Sequence, residues 1–372
     1  MIYFDNSATT KPSSACVLAM SDAMSQNFAN ASSLHSAGVL AHKHIDLAKK
    51  SVADAIGATS AEILLGPGGT FLNNLAIKSA VMALRRRGNK IVVSSIEHPS
   101  VSETVESLKA EGFEVVYCDP RDPDSFKTAI DKNTILVTCM LVNNETGLVL
   151  PVASLKSVIT AADSPALLHI DAVQAFVKIP VNVKKLGCDF LTVSAHKING
   201  PKGIGALYVK RGVRTFPVIH GGEQESAVIP GTYNTPAAAG FKAAVDELKS
   251  IPRDHFEKLY THFVARLGEF DFIKLNSFGN HAHHILNITF DGYLGENVLH
   301  YLESFDIFVS QGSACSSHSK QKGKALLQLG CDKKTADGSV RVSFDRDNTT
   351  EQIDKFFEVC KTIPDKLIKL YK

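Results

Sequence analysis

Between residues 36 and 210 the apolar positions switch repeatedly between helical spacing and short unbroken runs. Ser36–Ile56 carries them at helical intervals and stops at Gly57, a common helix terminator. Glu62–Leu65 predicts a short strand, and Gly66-Pro67-Gly68-Gly69 a tight loop after it. Thr70–Arg87 predicts a helix ending in Arg85-Arg86-Arg87; cations suit a helix C-terminus, so these arginines read as a solvated end and not a nucleic-acid patch. Further strands are expected at Lys90–Ser94, Phe113–Cys118, Thr134–Leu141, Leu167–Ile170, Phe190–Val193 and Ile204–Val209. Helices near 100–111, 124–131 and 153–162 separate the earlier ones. Near-continuous apolar strands alternating with helices predict an open, mostly parallel sheet covered on both faces.

Past residue 250 the pattern changes. An amphipathic helix (Asp254–Phe270) precedes a strand (His284–Phe290), a helix (Glu296–Ser304), a strand (Val340–Phe344) and a terminal helix from Thr350. The expected organisation is a large α/β domain over 15–249, with a mostly parallel seven-stranded sheet. A smaller α+β domain takes 1–14 and 250–372, and carries Cys315 and Arg341.

Composition narrows the class. A chain of 372 residues can bury two cores, and a formal net charge of +2 gives no case for nucleic acid or an anionic membrane. No apolar run approaches the roughly 18–20 residues that span a bilayer. The start, Met1-Ile2-Tyr3-Phe4, lacks the basic and apolar stretches of a signal peptide, so the chain reads as cytoplasmic. Seven cysteines without CxxC spacing indicate neither a zinc cage nor a disulfide framework. His281-Ala282-His283-His284 has no carboxylate or cysteine at ligand spacing and reads as structural or solvated, so no metal is expected.

In open α/β sheets ligands sit beyond the carboxyl ends of the strands. His169-Ile170-Asp171 ends one strand in an acid; 26 residues later Ser194-Ala195-His196-Lys197 ends the next, and the glycine-rich stretch 199–205 follows. A lysine and a carboxylate on neighbouring strand ends are what pyridoxal 5′-phosphate chemistry requires. The lysine forms the Schiff base, and the acid keeps the pyridine nitrogen protonated. Gly68-Gly69-Thr70, opening a helix, offers backbone N–H groups to a phosphate. His98 ends another strand.

These residues belong to motifs that run nearly the whole chain: Tyr3-Phe4-Asp5-Asn6-Ser7-Ala8-Thr9-Thr10, Asn30-Ala31-Ser32-Ser33-Leu34-His35, Glu97-His98 and Val142-Asn143-Asn144-Glu145-Thr146-Gly147. After the aspartate and lysine motifs come Gly312-Ser313-Ala314-Cys315-Ser316-Ser317 and Val340-Arg341-Val342-Ser343. In this order they resemble the cysteine desulfurases (NifS/IscS-like), in class V of the fold-type I pyridoxal-phosphate enzymes. The resemblance implies that Lys197 is the Schiff-base lysine, Asp171 the partner of the pyridine nitrogen, and His98 the residue stacked on the ring. It implies Asn144 and Gln174 near the phenolic oxygen, with Asn144 also reaching substrate. Gly69, Thr70, Ser194 and His196 would hold the phosphate, and Thr232 the phosphate of the other subunit of a homodimer with shared sites. Arg341 would clamp the carboxylate of L-cysteine. Lys197 would then remove the Cα proton and the Cys315 thiolate attack the substrate sulfur. This leaves alanine and a persulfide for a sulfur-acceptor protein serving iron–sulfur clusters or tRNA thiolation.

Two stretches depart from the family pattern. Where the family usually has Ser-Gly-Ala-Thr-Glu-Ser-Asn-Asn, this chain has Pro67-Gly68-Gly69-Thr70-Phe71-Leu72-Asn73-Asn74. Where it commonly has Arg-Gly-x-Arg before Pro-Gly-Thr, this chain has Ser226-Ala227-Val228-Ile229. Two alternatives stay open: a selenocysteine lyase or another class V lyase, and a catalytically impaired scaffold for a sulfur acceptor.

Overall fold

Strands form where the sequence runs apolar without alternation, because such a run can be buried on both faces of a sheet. The computed structural model describes residues 1–252, 254–312 and 324–370. Its packing falls into two compact units: Lys11–Leu141 with Leu150–Ser250, and Met1–Thr10 with Val142–Val149 and Ile251–Lys372.

The first unit holds β1 (Ile63–Gly66), β2 (Lys90–Ser94), β3 (Glu114–Cys118), β4 (Thr134–Met140), β5 (Leu167–Asp171), β6 (Phe190–Ser194) and β7 (Gly205–Val209). They form one sheet in the order β1-β7-β6-β5-β4-β2-β3. Pairs among β2 to β6 are parallel, and β7 runs antiparallel to both β1 and β6. The sheet is therefore mostly parallel, as the sequence predicts. Every residue of β4 and β6 is buried.

Helices α1 (Ser14–Ser25), α2 (Ser36–Ile56), α3 (Gly69–Leu84), α4 (Pro99–Lys109), α5 (Pro123–Ala129), α6 (Leu155–Ala161) and α7 (Thr235–Lys249) belong to this unit. Helix α3 stops three residues before the expected Arg87; Arg85 is its C-cap, and the three arginines lie exposed in and after the cap. Helices α1 and α7 lie outside the elements predicted above. Helix α7 buries Ala237, Phe241, Ala244, Val245 and Leu248 along one face, and a Cβ built on its Gly240 would stand 2.7 Å from Met20 Cγ and 3.0 Å from Cys16 Sγ of α1. Glycine at this position leaves that space to the Met20 and Cys16 side chains.

The second unit holds β8 (Ile273–Leu275), β9 (Ile285–Phe290) and β10 (Ser339–Ser343), an antiparallel sheet with β9 in the middle. Ile2–Tyr3 pairs in parallel with Ile307–Phe308. Helices α8 (His255–Leu267), α9 (Gly295–Glu303) and α10 (Thr350–Cys360) pack on it around an aromatic core. Phe4 meets Phe344 edge-on with ring centroids 5.6 Å apart, and Phe263 lies 4.8 Å from Phe357. The segment 142–149 is tied in by the Val149 N–H to Asn280 O and the Ala282 N–H to Gly147 O, both 2.8 Å. No helix among the described residues is long and apolar enough to cross a membrane.

One buried histidine makes the stability of the sheet depend on pH. On β5, His169 Nδ1 lies 2.8 Å from Thr138 Oγ1 of β4, and Nε2 lies 3.1 Å from Thr192 Oγ1 of β6. Burial lowers its pKa to about 4, against the opposing pull of Asp171. The unfolded chain therefore binds the extra proton between about pH 6.5 and 4 while the folded chain does not, and stability falls as pH drops through that window. Denaturant titrations of the apoprotein should show wild type losing roughly 3 kcal/mol more than H169Q between those two pH values. Equal losses would rule out His169 as the source.

Candidate active site

Asp171 is the last residue of β5 and is buried, so both carboxylate oxygens need donors from the fold. Oδ1 accepts from the Val173 N–H at 2.9 Å, in the turn that leaves the strand. Oδ2 accepts from Asn73 Nδ2 at 2.8 Å, across from α3. The same amide nitrogen donates to Ser100 Oγ at 2.8 Å, on the first turn of α4. Ser100 Oγ lies 2.8 Å from His98 Nδ1, and the Ser100 N–H donates to that nitrogen at 3.1 Å. A backbone N–H can only donate, so His98 Nδ1 is an acceptor and the ring's proton sits on Nε2. Burial lowers the His98 pKa; Asp171 opposes this and Lys197 adds to it. An unbroken chain of hydrogen bonds thus joins the acid on β5 to the imidazole that caps α4.

The neighbouring strand delivers the lysine. Ser194 ends β6, and Ala195–Lys197 forms one turn of 3-10 helix. The chain then turns back through Asn199 at φ 62, and Gly200 N–H bonds to Ala195 O. Opposite this turn, α3 begins with Gly68 at φ 123 as its N-cap. A Cβ built on Gly69 would stand 3.3 Å from Val173 Cγ2 and 3.7 Å from Ser194 Cβ, so the helix start lies against both strand ends. Its first N–H groups have no acceptor within the helix, and its dipole favours an anion there.

Two observations test whether these residues fit pyridoxal 5′-phosphate. Ser194 Oγ is buried without a hydrogen-bond partner, beside Gly69. His196 has its pKa lowered to about 3, by burial first and then by the charges of Lys197, Lys202 and Lys178. An unfilled hydroxyl and a surplus of positive charge at a helix N-terminus suit a phosphate. Asp171 with His98 suits a protonated pyridine ring. The residues fit the cofactor.

The other expected residues are placed as follows. Gln174 is buried in the turn after β5. Thr232 is exposed and lines a pocket of about 230 Å³ together with Phe71 and Ile229. The two departures from the family pattern thus meet in space, and Phe71 and Ile229 belong to one apolar cluster. Nearby Glu225, Ser226 and Ala227 all have φ between 49 and 59, and the buried Glu225 carboxylate is 2.7 Å from Lys49 Nζ. In the second unit Arg341 Nη1 donates to the Asn144 carbonyl oxygen at 2.9 Å. Cys315 lies outside the described residues. His281 Nε2 is 2.8 Å from Thr146 O, His283 stacks on Tyr260, and His284 is buried. Among the described residues no group of three or more His, Cys, Asp or Glu side chains is arranged to hold a metal.

Sequence reasoning assigned no role to Asn73, Ser100 or Glu97. The available signals were an asparagine inside the helical run Leu72-Asn73-Asn74-Leu75, where asparagine is a poor helix former, and the place of Glu97 in the Glu97-His98 motif. Glu97 Oε1 accepts from the Met140 N–H at 2.7 Å, and burial of its carboxyl pushes the pKa up to about 8.

Comparison with known proteins agrees with this geometry. The family described as "Aminotransferase class-V" matches residues 2–356. A cysteine desulfurase IscS from Methanosarcina thermophila is 38% identical over 377 residues, covering 98% of this chain and 92% of its own. Among solved structures, a NifS-like protein superposes with a TM-score of 0.90 at 31% identity, covering 98% of this chain and 100% of its own. Another, described as SspA in complex with cysteine, has a TM-score of 0.83 at 32% identity, covering 94% and 100%.

The Asp171 network gives a direct test. N73A removes the donor to Asp171 Oδ2 and to Ser100. The dissociation constant of the apoprotein for pyridoxal 5′-phosphate, read by absorbance titration, should rise about tenfold, the cost of one lost hydrogen bond to a buried charge. An unchanged constant would leave Asn73 a packing residue only.

Proposed function

We propose, on the premise that this chain belongs to the aminotransferase class-V family, that it is a pyridoxal 5′-phosphate-dependent cysteine desulfurase. The observation that carries the reading is the pairing of Asp171 and Lys197 on adjacent strand ends, beside the anion-binding start of α3. The comparison proteins named cysteine desulfurase, and the solved relative with cysteine bound, support the same activity.

Asp171 would hold the pyridine nitrogen and His98 would cover the ring. Gly69, Thr70, Ser194 and His196 would hold the phosphate, with Gln174 and Asn144 near the phenolic oxygen. The bound cofactor supplies an electron sink that makes a carbanion at the substrate Cα accessible. Arg341 orients the substrate through its α-carboxylate, a task that suits a planar fork of donors. Lys197 takes and returns the proton at Cα. Cys315, as thiolate, attacks the substrate sulfur. The substrate Cβ–S bond breaks, an S–S bond forms on Cys315, and the carbon skeleton gains a proton at Cβ to leave as alanine. The balance is closed: cysteine and one enzyme thiol become alanine and one enzyme persulfide, with no outside oxidant or reductant.

The reading extends to a cytoplasmic homodimer in which Thr232 reaches the phosphate of the partner subunit, and to a sulfur-acceptor protein as the persulfide's destination. Support for a dimer comes from the exposed apolar side chains of Val17, Leu18, Phe28, Leu34, Val39 and Leu40. A reducing compartment suits chemistry that needs a free thiol, and none of the six described cysteines is in a disulfide.

Incubation with L-cysteine should yield alanine, a mass increase of one sulfur on the Cys315 peptide, and sulfide once a thiol reductant is added. C315A should bind the cofactor normally and form alanine at least about a hundredfold more slowly. If C315A kept its rate, a lyase that needs no thiol would be the better reading; if wild type gave neither alanine nor persulfide, the desulfurase would be excluded.

A further inference from the structure

Arg341 lies in the middle of β10, across from Asn287 of β9, and its guanidinium is buried. Its nitrogens meet three different fates. Nη1 donates to the neutral carbonyl of Asn144, Nη2 donates to Asp5 Oδ1 at 2.6 Å, and Nε is buried with no partner. Asp5 reaches this point through its own backbone. Ile2–Tyr3 is paired with Ile307–Phe308, Asp5 bridges to Ser343, and the Ser343 N–H donates to Phe4 O at 2.6 Å. The carboxylate is therefore held beside the guanidinium by strand pairing, whatever else the arginine binds.

We infer that Asp5 sets the affinity for the substrate's α-carboxylate, because it is a resident carboxylate competing for the Arg341 guanidinium. The inference rests on the reading of Arg341 as the carboxylate clamp. An α-carboxylate that binds Arg341 meets a like charge already on the same cation. Like charges sharing one cation at close range weaken each other's binding. Asp5 thus serves two ends. It keeps a buried guanidinium paired when no substrate is present, where an isolated charge would be costly, and it keeps amino-acid binding loose enough for alanine to leave.

The test uses the holoenzyme with two ligands that do not turn over: L-alanine, and ethylamine, which is alanine without the carboxylate. Binding is followed by the change in cofactor absorbance. D5N keeps an Oδ1 acceptor and removes the charge. It should tighten L-alanine about tenfold and leave ethylamine within about twofold. A general loosening of the fold could not produce that split. Unchanged or weaker L-alanine binding by D5N, or equal tightening of both ligands, would overturn the inference. D5S, which also removes the charge, carries the same expectation if D5N does not fold. R341Q separates the two levels of the argument. If R341Q binds L-alanine as tightly as wild type, the clamp reading fails and the role of Asp5 with it; if R341Q weakens L-alanine while D5N does not tighten it, only the role of Asp5 is lost.

Discussion

A carboxylate closed in at the end of a strand must receive its donors from the fold, and much of the first unit is arranged to supply them to Asp171. One donor comes from the turn that leaves β5, and the other from α3 through Asn73. The sheet order puts β5 beside β6, so the turn that carries Lys197 emerges from the neighbouring strand end. The same helix that supplies Asn73 points its N-terminus at those strand ends. A buried acid, a lysine and an open helix N-terminus thus come from three adjacent elements, and none of them depends on a long loop being folded in one particular way.

What was legible in the sequence is what depends on neighbours along the chain. The strand runs, the Asp171 and Lys197 positions at strand ends and the glycines opening α3 are all local features. The links between them are tertiary. Asn73 and Ser100 are 27 residues apart, and Asn73 and Asp171 are 98 apart, so no spacing rule connects them. Asp5 and Arg341 stand at opposite ends of the chain, and only strand pairing brings them together. Helix α1 buries only Cys16 and Ala23 while Val17, Leu18 and Met24 are exposed, so its buried face is not the apolar stripe that periodicity detects.

The two departures from the family pattern look separate in the sequence and are one change in the structure. Phe71 and Ile229 share a pocket and a cluster, so apolar side chains stand where the family pattern has charged ones. The turn before Ile229 carries three successive non-glycine residues with positive φ, each costing on the order of 1 kcal/mol. The buried pair of Glu225 with Lys49 is placed to hold that turn. The network around Asp171 lies elsewhere in the unit and keeps its hydrogen bonds intact.

His98 is both the N-cap of α4 and the ring at the end of the Asp171 chain, and this ties the tautomer to helix stability in one side chain. The nitrogen that caps the helix is the one that must stay bare for the proton to sit on Nε2. Protonating the ring would uncap the helix, and fraying the first turn would free the tautomer. A replacement would have to start the helix and also end the chain of hydrogen bonds that runs from Asp171, a demand that few aromatic side chains meet.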